Sequence, residues 1–386
     1  MSLLSASSIM NGHNGHNGHN GHNGHNGHNG HNGHNGHNGH NGHSAIGLAG
    51  AYDGITTAAL MTSRDGIMGR WDESFHNPLE NNLNDADNLE KWSPAIRASV
   101  ITSDLIATTA CSDTDDSDIS FYHQSIAIEN GAPDIDIQRL AAFKRPTHDV
   151  FKAQLQYLRI YADLRGDRAH EINAQLFDPS VFYGPIIGLF PAQKRYTHEL
   201  IAMLQNVSTS VVMRIKHGLA CKRPDTFSAQ IQPIIPTPGH GALPSGHATE
   251  AFALAHFLMF FLKQANGGGD TAPNLNEDNM ESMLMRQAER IAINRTVAGV
   301  HFPVDSVAGA VLGQTIAHFL LAKASTDVPV KAGAFDGTKA PDLDFNYRDV
   351  LTGDDPRVDW SDVGANEIDP SPAFTWLWNK ALAEWQ

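Results

Sequence analysis

Three short segments carry the residue types that can hold and cleave an oxyanion. The first sets Lys216 seven residues before Arg223, which Pro224 follows. The second reads Pro244-Ser245-Gly246-His247, and the third runs from Asn294-Arg295 to His301 and Asp305. A spacing of seven is about two helical turns, so the two cations can face one pocket. Arginine offers a planar fork to oxyanion oxygens, and lysine a compact charge. Alone, the pair reads as a solvated basic helix end, which the helix dipole also favours. Ser245 is a good N-cap after a proline-rich loop, and the free N–H groups of a helix start bind anions. Gly246 lets backbone approach a ligand, and His247 can exchange a proton. Alone, this is equally an ordinary capped helix with a surface histidine. Arg295 adds a third cation. His301 and Asp305 are four apart, so a helical turn puts them on one face. A carboxylate on one imidazole nitrogen fixes the tautomer and makes the other a better ligand or nucleophile. Alone, it is a simple helical His–Asp hydrogen bond. Together the three segments fit one task, which is to hold a tetrahedral oxyanion and take it to five-coordinate geometry.

The elements that position these residues read as helices. Ala192–Ala220 is a long helix ending before Arg223-Pro224. Residues 224–244 hold five prolines and form a rigid loop. Helices follow over Ser245–Leu262, Glu277–Val297 and Pro303–Lys323, the last with proline suited to a first turn. Upstream, Ile55–Met61 reads as a short strand or helix and Ile96–Thr109 as a longer helix. Ser112–Asp118 reads as a solvated acidic loop that lacks the glycine and glutamate of a calcium loop. Apolar residues recur at helical spacing from Ile135 to Leu176, where Leu155, Leu158, Ile160, Tyr161 and Leu164 suggest an amphipathic helix. Phe374, Trp376, Trp378 and Trp385 belong to a final short helix that docks on the core. The pattern divides the chain into a disordered tail over 1–43, a helical domain over 44–324 and a loop-rich segment over 325–386.

Composition excludes several functions. The net charge of −15 argues against general nucleic-acid binding, which needs a basic surface. Cys111 and Cys221 cannot form a disulfide framework or a zinc ribbon, and both read as small apolar fillers. Met1–Met10 has no basic residue, so no convincing secretory signal is expected. No polar-free stretch reaches the length of a transmembrane span, and Ala251–Leu262 and Val307–Ala322 read as core helices. A soluble protein is expected, its compartment unknown and its oligomeric state open, a homo-oligomer included. Residues 11–43 are an Asn-Gly-His triplet repeated eleven times, which holds half of the 22 histidines. It has no fixed geometry to select a metal, so a repeat expansion without a role outranks a metal-loading tail.

The three segments resemble, in order and internal spacing, the signature motifs of the vanadium haloperoxidase and type 2 phosphatidic acid phosphatase (PAP2) superfamily. The resemblance rests on Lys216, Arg223, Pro224, Pro244, Ser245, Gly246, His247, Arg295, His301 and Asp305, with Asn294 where the family usually has serine. It covers residues 216–305 and implies an all-α helical bundle with the site at its core. It implies that His301 ligates vanadate (the metal ligand) or attacks phosphorus, and that His247 is the acid/base. Lys216, Arg223 and Arg295 would neutralise the oxyanion, Ser245 and Gly246 would donate hydrogen bonds to it, and Asp305 would orient His301.

The shared site suits vanadate and phosphate alike. The absence of several spans, a long helical region before the motifs, and His240 favour the haloperoxidase branch. His240 stands seven residues before His247, an arrangement that algal bromoperoxidases resemble. It is equally a loop residue in a Pro-Gly-His-Gly turn. Met213 stands where haloperoxidases carry tryptophan or arginine, so a halide pocket would be built differently. The resemblance thus implies, first, a vanadate enzyme that uses hydrogen peroxide to oxidise bromide or iodide and halogenate a small organic acceptor. The alternative is a soluble acid phosphatase that cleaves a phosphate ester through a phosphohistidine, without a cofactor. A third, non-enzymatic reading is a histidine-rich metal-sequestering protein.

Overall fold

The computed structural model describes residues 54–70, 82–115, 118–129, 132–190, 192–268 and 278–386. The Asn-Gly-His repeat lies outside the described residues. The chain forms two compact units, Met1–Val100 and Ile101–Gln386. The first contains helix α1 (Gly54–Ile67), none of whose residues is buried. Helix α2 (Pro94–Ala107) begins in the first unit and ends in the second.

In the second unit, strands β1 (Thr109–Asp115), β2 (Asp118–Glu129) and β3 (Ala132–Lys144) precede helices α3 (His148–Tyr161), α4 (Arg165–Ala174) and α5 (Gly184–Ile187). The long helices α6 (Arg195–Leu219), α7 (Gly246–Ala265), α8 (Met280–Val297) and α9 (Pro303–Lys323) follow. Strand β4 (Val330–Asp336), helix α10 (Tyr347–Thr352), strand β5 (Val358–Val363) and helix α11 (Pro372–Ala383) complete it.

The fold is not the all-α bundle the motifs imply. The five strands form one mixed sheet in the order β1-β2-β3-β4-β5, parallel only between β3 and β4. Two readings hid it. The acidic run Ser112–Asp118 is mostly strand, because Ser112 pairs with Ser120 and Asp113 with Ile119 in a hairpin. Residues 135–144 also belong to a strand, in which Ile135 pairs with Ile126 and Phe143 with both Ile119 and Phe335. Short polar strands are recognised by their partners, which a local window does not contain. The C-terminal segment supplies β4 and β5, with Gly333 admitting Val311 and Trp360 where a Cβ would clash at 2.4 and 2.8 Å.

Helix α9 is the centre of the fold. It packs on α7, on β3 and β4, and on α6, and every one of its residues is buried. It is also long and apolar enough to meet the minimum for a membrane span, although all of it is enclosed by protein here. Its approach to α7 depends on Gly309 and Gly313. A Cβ at Gly309 would meet Ala248 Cβ at 2.7 Å, and one at Gly313 would meet the Thr249 carbonyl oxygen at 2.6 Å. The aromatic C-terminus docks as its composition suggests, with Trp378 edge-on to Phe257 and Phe261. Glu384 accepts from the N–H groups of Tyr196 and Thr197, so the C-terminus also caps α6.

The interface of α7 and α9 encloses His256 and His318, with ring centroids 5.9 Å apart. His318 Nδ1 lies 2.9 Å from the Pro329 carbonyl oxygen, whereas neither nitrogen of His256 has a protein partner. Burial, and then His318, hold His256 well below its ordinary value. The folded state therefore favours the neutral ring. That stability is present above the unfolded value near 6.5 and is lost as pH falls below it. Urea denaturation at pH 7.5 and 5.5 should show stability falling towards acid, with His256 contributing up to about 1.4 kcal/mol per pH unit. His256→Leu should flatten that slope. An unchanged slope would remove His256 from the account.

Candidate active site

Chain reversals gather the first two cations, not helical spacing. Helix α6 ends at Leu219, Ala220 takes a left-handed conformation at φ 47°, and Arg223 is extended. Lys216 Nζ donates to the carbonyl oxygens of Gly241 and Ala242 at 3.1 and 2.8 Å. Arg223 Nε donates to His240 O at 3.1 Å, and Nη1 to Val300 O at 2.8 Å. Arg223 is therefore anchored by two loops before it meets any ligand.

His301 also precedes its helix. Asp305, in the first turn of α9, reaches back to it with Oδ2 2.9 Å from His301 Nδ1. The same oxygen accepts from Phe302 N–H at 3.0 Å, as a capping side chain does. One carboxylate thus starts α9 and orients the histidine. On the other side Arg223 Nη1 lies 2.8 Å from His301 Nε2. A guanidinium can only donate, so Nε2 carries the lone pair and Nδ1 the proton. Burial, and then Arg223 and Lys216, hold His301 well below its ordinary value, so the ring is neutral.

Helix α7 presents its N-terminal end beside Lys216. Ser245 is fully buried, its Oγ accepts from Ala248 N–H at 3.4 Å, and its N–H donates to Asp305 O at 2.8 Å. The last bond joins the starts of α7 and α9. The N–H groups of Gly246 and His247 open the helix and have no helical acceptor. A Cβ on Gly246 would stand 3.9 Å from Lys216 Cε, so this end lies against the lysine.

Arg295 and His247 meet through Gln175, at the end of α4. The Gln175 carbonyl oxygen lies 3.0 Å from His247 Nε2, and its Oε1 accepts from Arg295 Nη2 at 2.8 Å. A carbonyl can only accept, so His247 Nε2 holds the hydrogen and Nδ1 is the nitrogen that can take a proton. Burial, and then Arg295, push His247 down to about 3. Both His247 and Arg295 lie near enough to His301 to disfavour its charge.

Lys216 is pushed down by burial and then by Arg223, while burial pushes Asp305 up against the pull of the Phe302 N–H and the two cations. Burial lowers Arg295 to about 10, which leaves it charged at neutral pH. The pocket is a concentration of buried positive charge whose natural complement is an anion. One observation points the same way: Arg295 Nε and Nη1 are buried without a protein acceptor. Among the described residues no group of three or more His, Cys, Asp or Glu is disposed for a metal ion. The donors fit a tetrahedral oxyanion, phosphate or vanadate, with His301 Nε2 as the group that would bond to its central atom.

The structure brings together Lys216, Arg223, Ser245, Gly246, His247, Arg295, His301 and Asp305. His240 does join them, with Nδ1 3.3 Å from Arg223 Nη2 and 3.2 Å from Gly241 O. It is half-buried and pushed down to about 4 by burial and then Lys216. Asn294 is turned away from the pocket. It donates to Glu171 Oε1 and Gln175 Oε1, both at 3.0 Å, and accepts from Arg168 Nη1 at 3.1 Å. Sequence reasoning missed Glu171, Gln175 and Gln154, the last accepting from Val304 N–H at 2.9 Å at the start of α9. Glu171 and the two uncharged amides stand in no motif and give no signal. Only the burial of Gln175, which is wholly enclosed, marks it.

Replacing Gln175 by leucine would take an acceptor from Arg295 and Asn294 and leave Arg295 Nη2 only its longer bond to Ile172 O at 3.2 Å. A buried unpaired group costs ~1–3 kcal/mol, so affinity for inorganic phosphate should fall about 10- to 100-fold. An unchanged phosphate dissociation constant in a folded Gln175→Leu protein would show that Arg295 is held some other way.

Residues 198–328 match the family model described as the PAP2 superfamily. No curated protein matches the chain. Among solved structures, a transmembrane PAP2-type phosphatidylglycerolphosphate phosphatase from Bacillus subtilis is similar at 19% identity and a TM-score of 0.32. That match covers 44% of this chain and 84% of the other.

Proposed function

We propose that this PAP2 superfamily domain is a phosphatase that cleaves phosphate esters through a covalent intermediate on His301. The observation that carries the reading is the neutral His301 ring, held between Asp305 at Nδ1 and Arg223 at Nε2, with its lone pair aimed into a cationic pocket. The family match supports phosphate chemistry and offers nothing that selects halide oxidation. It therefore reverses the order of the two enzymatic readings drawn from the sequence.

A phosphate ester entering the pocket takes over the donors now held by protein. Arg223 Nη1 turns from His301 Nε2 to a phosphoryl oxygen and so frees the nucleophile as the substrate arrives. Arg295 offers its two unpartnered nitrogens, and the Gly246 and His247 N–H groups complete the cradle. His301 Nε2 attacks phosphorus in line with the leaving oxygen. The P–O bond breaks as the N–P bond forms, and Asp305 balances the charge that develops on the imidazole. His247 gives a proton to the leaving alkoxide and then takes one from the water that hydrolyses the phosphohistidine.

His247 is neutral in the empty pocket, and a bound phosphate dianion raises its pKa by offsetting Arg295. The acid form is present below that raised value and is lost as pH rises through it. Turnover should therefore be greatest in acid and decline towards alkaline pH. His247→Asn should lower kcat for an alkyl phosphate by about 10²–10⁴-fold, and by much less for p-nitrophenyl phosphate, whose leaving group needs no proton. Equal losses on both esters would take the acid role away from His247.

The placement of His240 against Arg223 favours a second reading, a vanadate-dependent haloperoxidase. Vanadate, when bound, would supply activation of hydrogen peroxide towards halide. His301 would ligate it, and Lys216, Arg223 and Arg295 would neutralise it. One paired assay separates the two. The full chain without vanadate is tested on p-nitrophenyl phosphate, and the same preparation with orthovanadate on bromination by hydrogen peroxide and bromide. Ester turnover inhibited by vanadate, with no bromination, is the expected result. Vanadate-dependent bromination without ester turnover would overturn the phosphatase reading and establish the second.

A further inference from the structure

Outside the oxyanion pocket, a cleft of about 460 Å³ opens where the end of β3, the start of α3 and the segment after α6 converge. Its lining includes Lys144, Arg145, Lys222, His148, Phe151 and Phe227, and no carboxylate. That local balance is the reverse of the chain's, which has 42 acidic and 27 basic residues. Lys144 acts partly on Asp336, and Arg145 reaches Cys221, but none of the three cations is in an ion pair among the described residues. Arg145 and Lys222 are exposed, so their charges are available. Thr147, which caps the 14-residue helix α3, also lines the cleft, and Asp149 in the first turn of that helix is not among the lining residues.

The apolar part of the lining is aromatic. The Phe227 ring centroid lies 5.0 Å from that of His148 at an interplanar angle of 33°, and 5.4 Å from that of Phe151. Phe227 is held in turn by Phe302, edge-on at 5.6 Å. A flat ring system can lie on this floor while an acidic group meets the cations, and the volume is in the range of small-molecule sites. Lys222 and Arg223 are neighbours in sequence, yet Arg223 is buried in the oxyanion pocket and Lys222 is exposed in the cleft. The two cationic sites thus use successive residues of one segment.

We propose that the cleft is a second, non-catalytic binding site for a small aromatic anion, a flat ring system carrying a sulfonate, carboxylate or phosphate group. It does not depend on the chemistry at His301. The test uses naphthalene-2-sulfonate, which offers the ring and the charge but no ester to cleave, titrated calorimetrically into the full chain. Binding to one site that weakens with added salt is expected. Lys222→Glu should weaken it by roughly tenfold or more, the effect of removing one charge-assisted contact. Phe227→Leu, which keeps an apolar residue against Phe302, should also weaken it, and Arg295→Gln, in the oxyanion pocket, should leave it unchanged. No binding, or binding indifferent to Lys222→Glu and Lys144→Glu, would overturn the proposal. Loss in Arg295→Gln, which removes two free donors of the oxyanion pocket, with retention in Lys222→Glu would place the probe in that pocket and overturn it as well.

Discussion

His301→Ala is expected to lower phosphate-ester turnover by on the order of 10⁴-fold or more, because it removes the nucleophile of the proposed reaction and not merely a binding contact. The rest of the pocket does not rest on His301. Arg223 keeps its bonds to His240 O and Val300 O, Lys216 keeps those to Gly241 and Ala242, and Arg295 keeps Gln175. The variant should therefore still bind inorganic phosphate. Rapid acid-free quench of the wild type with labelled substrate should trap an acid-labile, base-stable phosphoenzyme that the variant lacks. A variant that binds phosphate but keeps a tenth or more of wild-type turnover would show that water attacks directly, and His301 would then serve only to bind. Asp305 gives no equally clean test, because its carboxylate also holds Phe302 N–H at the start of α9.

Gly313→Val is expected to be the most damaging change outside the pocket. Even the Cβ would stand 2.6 Å from Thr249 O, 2.8 Å from Ala253 N and 2.9 Å from Phe252 Cβ. Two of these are backbone atoms of α7, so no side chain can turn aside. The helices must separate or α7 must bend. Overpacking of a filled core costs about 1–3 kcal/mol, and the upper end applies where backbone has to move. The same separation would strain the bond from Ser245 N–H to Asp305 O, which joins the starts of the two helices. A lower urea midpoint and a loss of phosphate affinity should therefore appear together. Gly166→Val is the control, since nothing lies within 4 Å of a Cβ there. Equal stability of Gly313→Val and wild type would mean that the helices are not held at this distance in solution.

The candidate reactive groups were the most legible part of this chain. Lys216, Arg223, Arg295, His247 and His301 suggest an oxyanion pocket because charge and proton exchange belong to residue types and survive without context. Pro303 and Ser245 likewise mark helix starts from local rules, and both helices begin there. The means of convergence was not legible. The seven-residue spacing of Lys216 and Arg223 suggested two helical turns, yet the helix ends between them and a left-handed Ala220 reverses the chain. His301 and Asp305 meet through a helix cap, not along a helix face. Gln175 and Asn294 form the support for Arg295, but an amide shows its importance only when it is buried and fully paired.

What the sequence determined alone was the set of reactive groups, their order and the helices that begin beside them, because these depend on residue type and on neighbours within a few positions. Tertiary structure alone decided the sheet, the nearness of α7 to α9 and the protonated nitrogen of each site histidine. The sheet pairs β3 with β4 across nearly two hundred residues, between Ala141 and Gly333. The tautomers of His247 and His301 are set by Gln175 O and by Arg223 with Asp305, groups that only folding brings within hydrogen-bond reach. Residue type says that a proton can move. The partners assembled by the fold say from which atom.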